Sequence, residues 1–501
     1  MNSPLLNTLL LSGATCAIGV PLGTALAWLL VRSDLPGRRG VWWMLAAMLF
    51  VPLYLQAAAW HAGFAAQGWY TLATATPAWI EGWTGAIWIH SMAAVPWVVL
   101  IVGAGLRLSE PELEEQALLD GSQRQVFWHV TLRAARPAVA LAALWIAILT
   151  AGEMTVTDLF AIRTYAEEVY TRIAVGQEAG DAPLGMLPGM SITAALIAAA
   201  LVLASRLGPR ERPLSFRRQL VFATGRWRWP LLLAVAAIVL LMIGVPLGSL
   251  IYKAGVLVTQ TDAGRLRCWS PWKCLRIIAA APWRFRREFT WSLSISALAA
   301  AADVLAALPL AWWARRGRWR AGPAIAVTAV CLAVPGPVLG LAVIWLLNTP
   351  SLPWLVHLYD HSILAPWLAL ALRGLPAATL VLWHALKTVP GGLLETAALD
   401  GAGPVTRMLR LVLPLRWPAL LLAWLVALAV ALGDLAASIL VVPPGVMTLS
   451  IQVFGLLHYG VEDQVAGICL ALVTFCGALA GLAAWLIRRW IVVPLDAAAR
   501  K

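Results

Sequence analysis

The chain has 501 residues, of which 61% are hydrophobic and 12% are charged. A soluble domain carries roughly 25% charged residues and could not bury this much apolar surface, so the composition excludes a soluble fold and indicates a multi-pass membrane protein. The net charge of +13 does not indicate a nucleic-acid partner, because most Lys and Arg residues lie in short loops beside apolar runs and form no basic domain.

Apolar runs predict eleven membrane-spanning helices, since about 20 residues cross the ~30 Å hydrocarbon core of a bilayer. The first run is too long for a signal peptide, lacks a basic start and is followed by the basic segment 32–39, so we predict a span. Whether a further span belongs before it is left open. The predicted spans are residues 5–31, 41–64, 84–106, 137–159, 186–206, 229–252, 290–314, 322–347, 362–386, 418–441 and 465–489.

The basic loops predict the orientation of these spans. Placing residues 32–40 in the cytoplasm also places the basic segments 206–228 and 315–320, the loops with both repeated polar helices and the C-terminal tail from residue 488 there, which accounts for 26 of the 37 Lys and Arg residues. The N-terminus is then outside. Residues 253–289 carry eight basic residues and would be external, so the side of this loop is left open.

Two of the six cysteines, Cys268 and Cys274, flank a short loop. They can form a disulfide if the loop faces an oxidising compartment, and this alternative is left open. Metal binding by the pair is less favoured, because two further ligands are not evident. The other cysteines are interpreted as packing inside spans: Cys16, Cys331, Cys469 and Cys476.

A short polar helix, Glu-Gln-Ala-Leu-Leu-Asp-Gly at 115–121, is repeated as Glu-Thr-Ala-Ala-Leu-Asp-Gly at 395–401. Alanine favours helix and leaves a slim surface, the acids can meet basic groups, and glycine permits a turn where a side chain would collide. A single copy could be an ordinary solvated loop helix, but two copies at equivalent depths predict docking points for a partner. The candidate docking residues are Glu115, Ala117, Asp120, Gly121, Glu395, Ala397, Ala398, Asp400 and Gly401.

The two halves of the chain repeat each other in order. Matching residues are Ala-Trp at 27–28 and 311–312 (shift 284), Val-Pro at 51–52 and 334–335 (283), Pro at 96 and 376 (280), and Gly followed by an acid at 152–153 and 433–434 (281). Equivalent points are separated by six predicted spans, so both halves run in the same direction. A parallel repeat implies a pseudo-two-fold axis along the membrane normal, with a pathway between the halves.

The second polar helix and the residues after it resemble a known family. Residues 395–414 fit the pattern Glu-Ala-Ala, three residues, Gly, nine residues, Ile-x-Leu-Pro, with Thr396 for the first Ala, Leu411 for Ile and Pro414 at the end. This is the cytoplasmic loop signature of permease subunits of binding-protein-dependent ABC importers. The first copy, 115–133, departs from it at three points: Gln116 replaces Ala, the spacer is one residue shorter, and Arg133 replaces Pro.

The resemblance implies an all-α integral membrane protein of two fused, parallel permease halves (MetI-like), similar to ferric-iron importer permeases and secondly to thiamine permeases. The domains would be 1–208, a first permease half; 209–288, a basic linker, one extra span and an external loop; and 289–501, a second permease half. Each polar helix would fit a cleft in a dimer of ATP-binding cassette subunits. An extracytoplasmic substrate-binding protein would deliver the substrate to this multi-pass subunit in the inner (plasma) membrane.

The chain has no Gly-x-x-x-x-Gly-Lys-Ser/Thr phosphate loop. The Gly-Ala-Gly-Pro segment at 401–404 lacks the lysine, and its proline removes an amide donor. We therefore predict no catalytic residues, no metal site and no cofactor on this chain, with ATP and magnesium bound by the partner subunits. Membrane lipid is a further expected partner.

Several ionisable residues are predicted inside spans, Asp158 among them, where each costs roughly 2.5–3.5 kcal/mol at the bilayer centre. Glu153 and Asp434 are equivalent by the repeat and are candidates for lining a pathway that attracts a hard cation such as ferric iron. The alternative is a structural role for both, each bonding to a neighbouring helix. Asp303 and Arg373 are expected to form a buried pair. Ferric-importer permeases also carry an Arg in this part of the span.

Two polar segments, 160–183 and 442–464, are predicted on the outer side, either as a docking surface for the binding protein or as ordinary wet loops. Ferric iron is the preferred substrate, with thiamine, another cation or an oxyanion left open. The alternatives to an ATP-driven importer are an ion-coupled secondary transporter and a non-transporting membrane scaffold. The repeated polar helix favours the importer over both.

Overall fold

The computed structural model describes residues 3–107, 111–175, 182–207, 220–261, 264–317, 319–459 and 462–492. The chain divides into two compact units. The first comprises Met1–Arg284 and Val453–Thr474, and the second comprises Phe285–Gln452 and Phe475–Lys501.

In the described residues, the first part of the chain is mainly helical and contains one β-hairpin. Its helices are α1 (Pro4–Arg32), α2 (Arg38–Met48), α3 (Leu53–Phe64), α4 (Trp69–Thr74), α5 (Gly82–Arg107), α6 (Pro111–Asp120), α7 (Gln123–Val126), α8 (Leu132–Ala151), α9 (Thr155–Leu159), α10 (Tyr165–Ala174), α11 (Ala182–Leu207), α12 (Arg228–Val239) and α13 (Val245–Gly255). Strands β1 (Val256–Thr261) and β2 (Gly264–Trp269) pair antiparallel, with Val256 opposite Trp269.

The remainder of the chain is helical in the described residues. Its helices are α14 (Pro271–Arg284), α15 (Arg286–Ala314), α16 (Gly322–Ala333), α17 (Gly336–Leu347), α18 (Pro353–His361), α19 (Leu364–Lys387), α20 (Gly391–Leu399), α21 (Pro404–Arg407), α22 (Leu413–Gly433), α23 (Leu449–His458) and α24 (Glu462–Leu486).

Among the described residues, eight helical segments are long and apolar enough to cross a membrane, and two bent helix pairs raise that number to ten. The prediction of an all-α, multi-span membrane protein is confirmed. The predicted span outside this number is 186–206, which corresponds to α11; the described apolar part of α11 is the shorter segment Pro188–Leu203. The eight segments are Pro4–Arg32, Gly82–Arg107, Gln123–Ala151, Gly225–Gly255, Arg286–Ala314, Leu364–Lys387, Pro404–Gly433 and Asp463–Arg489.

Two spans predicted as continuous, 41–64 and 322–347, are broken in the structure. α2 and the segment Leu53–Thr74 meet at 102°, and α16 and α17 meet at 105°. Both breaks fall at the repeated Val-Pro pair, where Pro52 and Pro335 have a ψ of 148° and precede the next helix. Proline keeps the residue before it out of the helical region, so the repeated pair ends one helix and starts another.

Each span that follows a polar helix contains a π turn, at Phe127–Thr131 in the first half and at Met408–Val412 in the second. The two turns are 281 residues apart, which is the shift of the surrounding repeat. Pro414 follows the second turn and is exposed. A proline lacks the amide hydrogen that a continuous α-helix would use for a backbone hydrogen bond. The π turn before Pro414 already interrupts the regular series of helical hydrogen bonds, so the proline is accommodated there.

These two spans end earlier than predicted, at Ala151 and Gly433 rather than at 159 and 441. Glu153, Asp158 and Asp434 therefore lie beyond the ends of these two helices, so the predicted bounds of the two spans are wrong. The position of these acids inside the membrane stays a prediction. In each half a glycine, a poor helix former, directly precedes the acid. Asp303 in α15 and Arg373 in α19 lie inside spans, as predicted.

Close packing of α1 against α5 forms the centre of the first unit. A β-carbon added to Gly19 would stand 3.0 Å from Cβ of Ala94, and one added to Gly23 would stand 2.5 Å from Cβ of Val98. Small residues four apart allow two membrane helices to approach closely and gain dispersion contacts. Buried Leu26, Val95 and Val99 extend this contact into the core.

The basic loop 253–289 contains the hairpin and α14. Cys268 is exposed on β2 and Cys274 is buried on α14; both are free thiols, so the disulfide alternative is not adopted. α14 packs through Ile277 against Gly467 of α24, where an added β-carbon would stand 2.5 Å from Cγ2 of Ile277.

Candidate functional site

The two polar helices, α6 and α20, are here named the docking helices. Their predicted docking residues are accessible in both copies, which a contact surface requires. Exposed are Glu115, Asp120, Glu395, Ala398, Asp400 and Gly401, and half-buried are Ala117, Gly121 and Ala397. Their role in docking stays a prediction.

The glycine that ends each docking helix has a different local role in each copy. Gly401 has a φ of +81°, its amide donates to the carbonyl of Ala398 at 3.0 Å, and Ala402 donates to Ala397 at 2.9 Å. These two bonds are a Schellman cap, which glycine adopts without strain. A β-carbon on Gly401 would meet open space, so the expected collision is wrong at this position and backbone conformation is the reason for glycine. Gly121 is not among the residues with positive φ.

Exposed apolar side chains recur at equivalent positions on and beside the docking helices, and the sequence analysis missed them. The pairs are Leu113 and Leu393 (53% and 44% exposed), Leu119 and Leu399 (86% and 88%), and Trp128 and Leu409 (54% and 51%). The first two pairs are 280 residues apart and the third is 281 apart, so the repeat itself was the available signal. Apolar side chains held in water on a short helix are typical of a surface that binds a groove.

Residue 114, directly before the first predicted acid, is buried. Glu114 and Arg32, the last residue of α1, are both 0% exposed and form an ion pair. Thr131, also buried, donates its hydroxyl to Oε1 of Glu114 at 2.9 Å. The sequence analysis assigned no role to these three residues. At the position equivalent to Glu114, the second half has the buried Leu394.

Glu153 and Asp434 perform the same local task, as the repeat predicts. Oε1 of Glu153 accepts the amide of Thr155 at 2.6 Å, and Oδ1 of Asp434 accepts the amide of Ala437 at 2.8 Å. Each carboxylate therefore accepts a backbone amide just after a span ends. In the first half this amide belongs to Thr155, the first residue of α9, where helical amides have no partner within the helix. Oε2 of Glu153 also lies 3.3 Å from Nε2 of His90 on α5.

Arg373 pairs with Asp434 and not with Asp303, so the expected Asp303–Arg373 pair is wrong. Nε of Arg373 donates to Oδ2 of Asp434 at 2.7 Å. The pairing is possible because α22 ends at Gly433 and leaves Asp434 extended beside α19. Among the described residues, Oδ2 of the buried Asp303 has no hydrogen-bond partner. It faces the backbone of Gly374.

In the first unit, Asp158 on α9 pairs with His458 on α23, with 3.3 Å between Oδ2 and Nε2. This carboxylate raises the pKa of His458. On α10, burial raises the pKa of Glu167, whose Oε1 accepts the hydroxyl of Thr171 at 2.7 Å. The predicted outer loop 160–183 is described only in part, since residues 176–181 lie outside the described residues.

The described residues hold no group of three or more His, Cys, Asp or Glu side chains that could bind a metal ion. Glu153 and Asp434 instead accept backbone amides, and Glu114, Asp158 and Asp434 each pair with a basic side chain. Their arrangement suits the support of helix ends.

Comparison with known proteins gives a family match in both halves. The family described as "Binding-protein-dependent transport system inner membrane component" matches residues 19–211 and again residues 304–498. Each match contains one docking helix, the π turn that follows it and one broken helix pair.

Three relatives illustrate what the chain is similar to. The putrescine transport system permease protein PotI of Escherichia coli (strain K12) is 30% identical over 200 residues, which is 39% of this chain and 69% of the relative. The Fe(3+)-transport system permease protein FbpB 2 of Haemophilus influenzae is 24% identical over 452 residues, 89% and 83% respectively. The spermidine/putrescine transport system permease protein PotC of Haemophilus influenzae is 28% identical over 115 residues, 23% and 45%.

Proposed function

The chain belongs to the family of binding-protein-dependent transport system inner membrane components, with two fused family domains, and from this premise we propose that separate ATP-binding subunits dock on α6 and α20 and drive it. As an ABC permease it is a multi-pass transport subunit of the inner membrane. Hydrolysis of ATP takes place on the partner chains.

The observation that carries the proposal is the recurrence of one composite surface at equivalent positions. Each docking helix presents an almost fully exposed leucine, Leu119 or Leu399, next to an exposed acid, Asp120 or Asp400. Burying such a leucine in a groove contributes about 1.5–3 kcal/mol, and the acid beside it selects a basic rim through complementary charge. Two such surfaces fit a partner that is itself a dimer.

The docking helices pass force to the membrane through the chain that follows them. α20 leads through α21 and the π turn Met408–Val412 into α22 without a long flexible loop. α6 leads through α7 and the π turn Phe127–Thr131 into α8. We infer that ATP binding by the partner moves both docking helices and opens the spans outward, where an external binding protein delivers the substrate.

We infer a cationic substrate, with ferric iron as the first choice. The Fe(3+)-transport relative aligns with 89% of the chain, and thus with both halves. The putrescine relative is more similar but aligns with 39% of the chain. Putrescine is a cation too, which makes a polyamine the second candidate and a small cation the shared class. Thiamine and other small solutes remain alternatives.

Reconstitution tests the proposal. The full chain would be purified with its ATP-binding and binding-protein subunits, placed in vesicles and supplied with radioactive ferric iron or radioactive putrescine. We expect uptake that needs ATP and the binding protein, and the favoured cation identifies the substrate. Uptake without the ATP-binding subunits, driven by an ion gradient, would show a secondary transporter instead.

A paired variant tests the docking helices directly. Glu395→Lys with Gly401→Trp reverses a surface charge and disrupts the Schellman cap, so we expect the ATP-binding subunits to be lost on purification. Glu81→Lys is the matched control, because Glu81 is exposed and lies outside both docking helices. If the double variant retains its partner as the control does, the docking assignment is wrong.

A further inference from the structure

We propose that Arg32, Glu114 and Thr131 are positioning residues that couple the first docking helix to α1, and that the second docking helix works without such a connection. The inference rests on the proposed function, since it assumes that a partner pushes on α6. If the inference is correct, movement of the partner is transmitted to different sets of helices in the two halves.

Three elements meet at one carboxylate oxygen. Arg32 ends α1, Glu114 lies in the first turn of α6, and Thr131 closes the π turn before α8. Nη2 of Arg32 and Oγ1 of Thr131 both donate to Oε1 of Glu114. All three side chains are 0% exposed. A buried charge is retained only when its partners stay in place, so a shift of α6 must carry the end of α1 with it or break the pair.

The second half has replaced both acceptor and donor by apolar groups of similar shape. Leu394 stands where Glu114 does, 280 residues on, and Val412 stands where Thr131 does, 281 residues on. Both are buried, at 4% and 0% exposure. The cluster cannot form there, because neither side chain can hydrogen-bond.

Other bonds hold the second docking helix. Nη1 of Arg407 donates to the carbonyl of Leu394 at 3.2 Å, and Nη2 of Arg416 donates to the carbonyl of Thr388 at 2.9 Å. The first bond connects α20 with α21, and the second connects Thr388, which ends α19 just before α20, with α22. Motion of α20 therefore passes to the elements that follow it in the chain, α21 and α22, whereas motion of α6 passes both to α8 and, through Arg32, to α1.

The consequence lies in the core of the first unit. α1 is packed against α5 at Gly19 and Gly23 with no room for an added β-carbon, so a displaced α1 moves α5 as well. Tightly packed elements move together and do not deform continuously. We infer that the first half responds as a larger rigid group than the second half.

Hydrogen exchange on the reconstituted complex separates docking from coupling without any transported substrate. Adding the ATP-binding subunits should protect the amides of α6 and α20, which reports docking. Adding a non-hydrolysable ATP analogue should then change exchange at the end of α1, around residues 26–33. In Glu114→Leu, which copies the second half, we expect α6 to stay protected while the response of α1 falls about fivefold or more.

Two further variants keep the test decisive if Glu114→Leu folds poorly. Thr131→Val keeps the ion pair and copies Val412, and should reduce the response of α1 by about twofold to threefold. Arg32→Glu with Glu114→Arg restores opposite charges and should recover at least half of the response lost in Arg32→Glu alone. Leu394→Met is the matched control and should leave the α1 response unchanged.

A wild-type response of α1 in both Glu114→Leu and Thr131→Val would overturn the proposed coupling. An equal loss in the charge swap and in Arg32→Glu would also overturn it, since the pair would then serve only local folding. Absence of α6 protection in the wild type is a separate result, because it contradicts docking itself and therefore the proposed function.

Discussion

The carboxyl group of Asp303 on α15 occupies the space that Gly374 leaves open on α19. Oδ2 overlaps the position that a β-carbon on Gly374 would take. The first half has the reverse arrangement: Gly19 corresponds to Asp303 at a shift of 284, and Ala94 corresponds to Gly374 at a shift of 280. The glycine lies on the first helix of the pair (α1) in one half and on the second helix (α19) in the other. The two helices approach closely in both units.

Exchange of these side chains should reproduce the arrangement of the first half. Gly374→Ala alone forces its methyl into the carboxyl of Asp303, and overpacking of this kind costs about 1–3 kcal/mol of unfolding free energy. Adding Asp303→Gly recreates the Gly19–Ala94 contact and should recover most of the loss. Thermal unfolding in detergent measures both. A double variant no more stable than Gly374→Ala would contradict this account of the packing.

Removal of the charge on Asp434 should be costly. Asp434→Asn leaves Arg373 without its anionic partner, and we expect the free energy of unfolding to fall by about 2 kcal/mol. This is less than for a fully buried pair, because Arg373 is partly exposed. Glu153→Gln is the matched control. Its partner His90 is an imidazole and not a guanidinium, and Gln keeps an oxygen that can accept the amide of Thr155, so the loss should be smaller. Denaturant titration compares the two, and equal losses would be the contrary result.

The pair of Asp158 and His458 predicts a weak dependence of stability on pH. Since the carboxylate raises the pKa of His458 in the folded state, the pair stabilises fully below the unfolded pKa of about 6.5. That contribution is lost as pH rises through the folded pKa. Between about pH 6 and pH 9 we expect a loss below 1 kcal/mol, since the imidazole is 42% exposed.

Unfolding temperatures of His458→Gln across the same pH range test this pair. Burial also raises the pKa of Glu167, but Glu167 titrates in both the variant and the wild type. The difference between their pH profiles is therefore the contribution of His458. Asp158→Asn should flatten the profile to the same degree. Unchanged pH profiles in both variants would exclude the pair as their source.

Leu399 should be a main contact of the partner. Leu399→Ser removes an apolar side chain that is 88% exposed, so the free energy of unfolding should hardly change. Affinity for the ATP-binding subunits should fall about tenfold, because a leucine buried at an interface contributes about 1.5 kcal/mol or more. Leu275→Ser is the control, as Leu275 is 62% exposed on α14. Equal affinities of the two variants would remove Leu399 from the docking surface.

Labelling of Cys268 tests the expected external position of loop 253–289. Cys268 is exposed, and Cys274 is buried, with a pKa that burial raises. A membrane-impermeant maleimide added to intact cells with a permeable outer envelope should label Cys268, and Cys268→Ser should abolish most of that labelling. Reaction only after the membrane is broken would place the loop in the cytoplasm and reverse the predicted orientation.

Features that depend on a short stretch of chain could be predicted from the sequence. The repeat, the two docking helices and the apolar spans follow from local composition and spacing. The breaks at Val-Pro could also have been found, because the same pair recurs in both halves, but the apolar run on either side favoured one long span. The exposed Leu119 and Leu399 were missed because a leucine in a sequence is usually expected to be buried in the core.

Only the tertiary structure decided which polar groups meet. Because α22 ends at Gly433, Asp434 lies in extended chain and pairs with Arg373, while Asp303 lies against Gly374. From the sequence, Glu114 is expected to be one more exposed acid of a polar helix. In the structure, α1 places Arg32 beside it and both side chains are buried. The sequence by itself determined the elements and their repetition, because propensity and hydropathy act locally. Partners came from the fold, since pairing depends on the rotation and ends of helices that are distant in the chain.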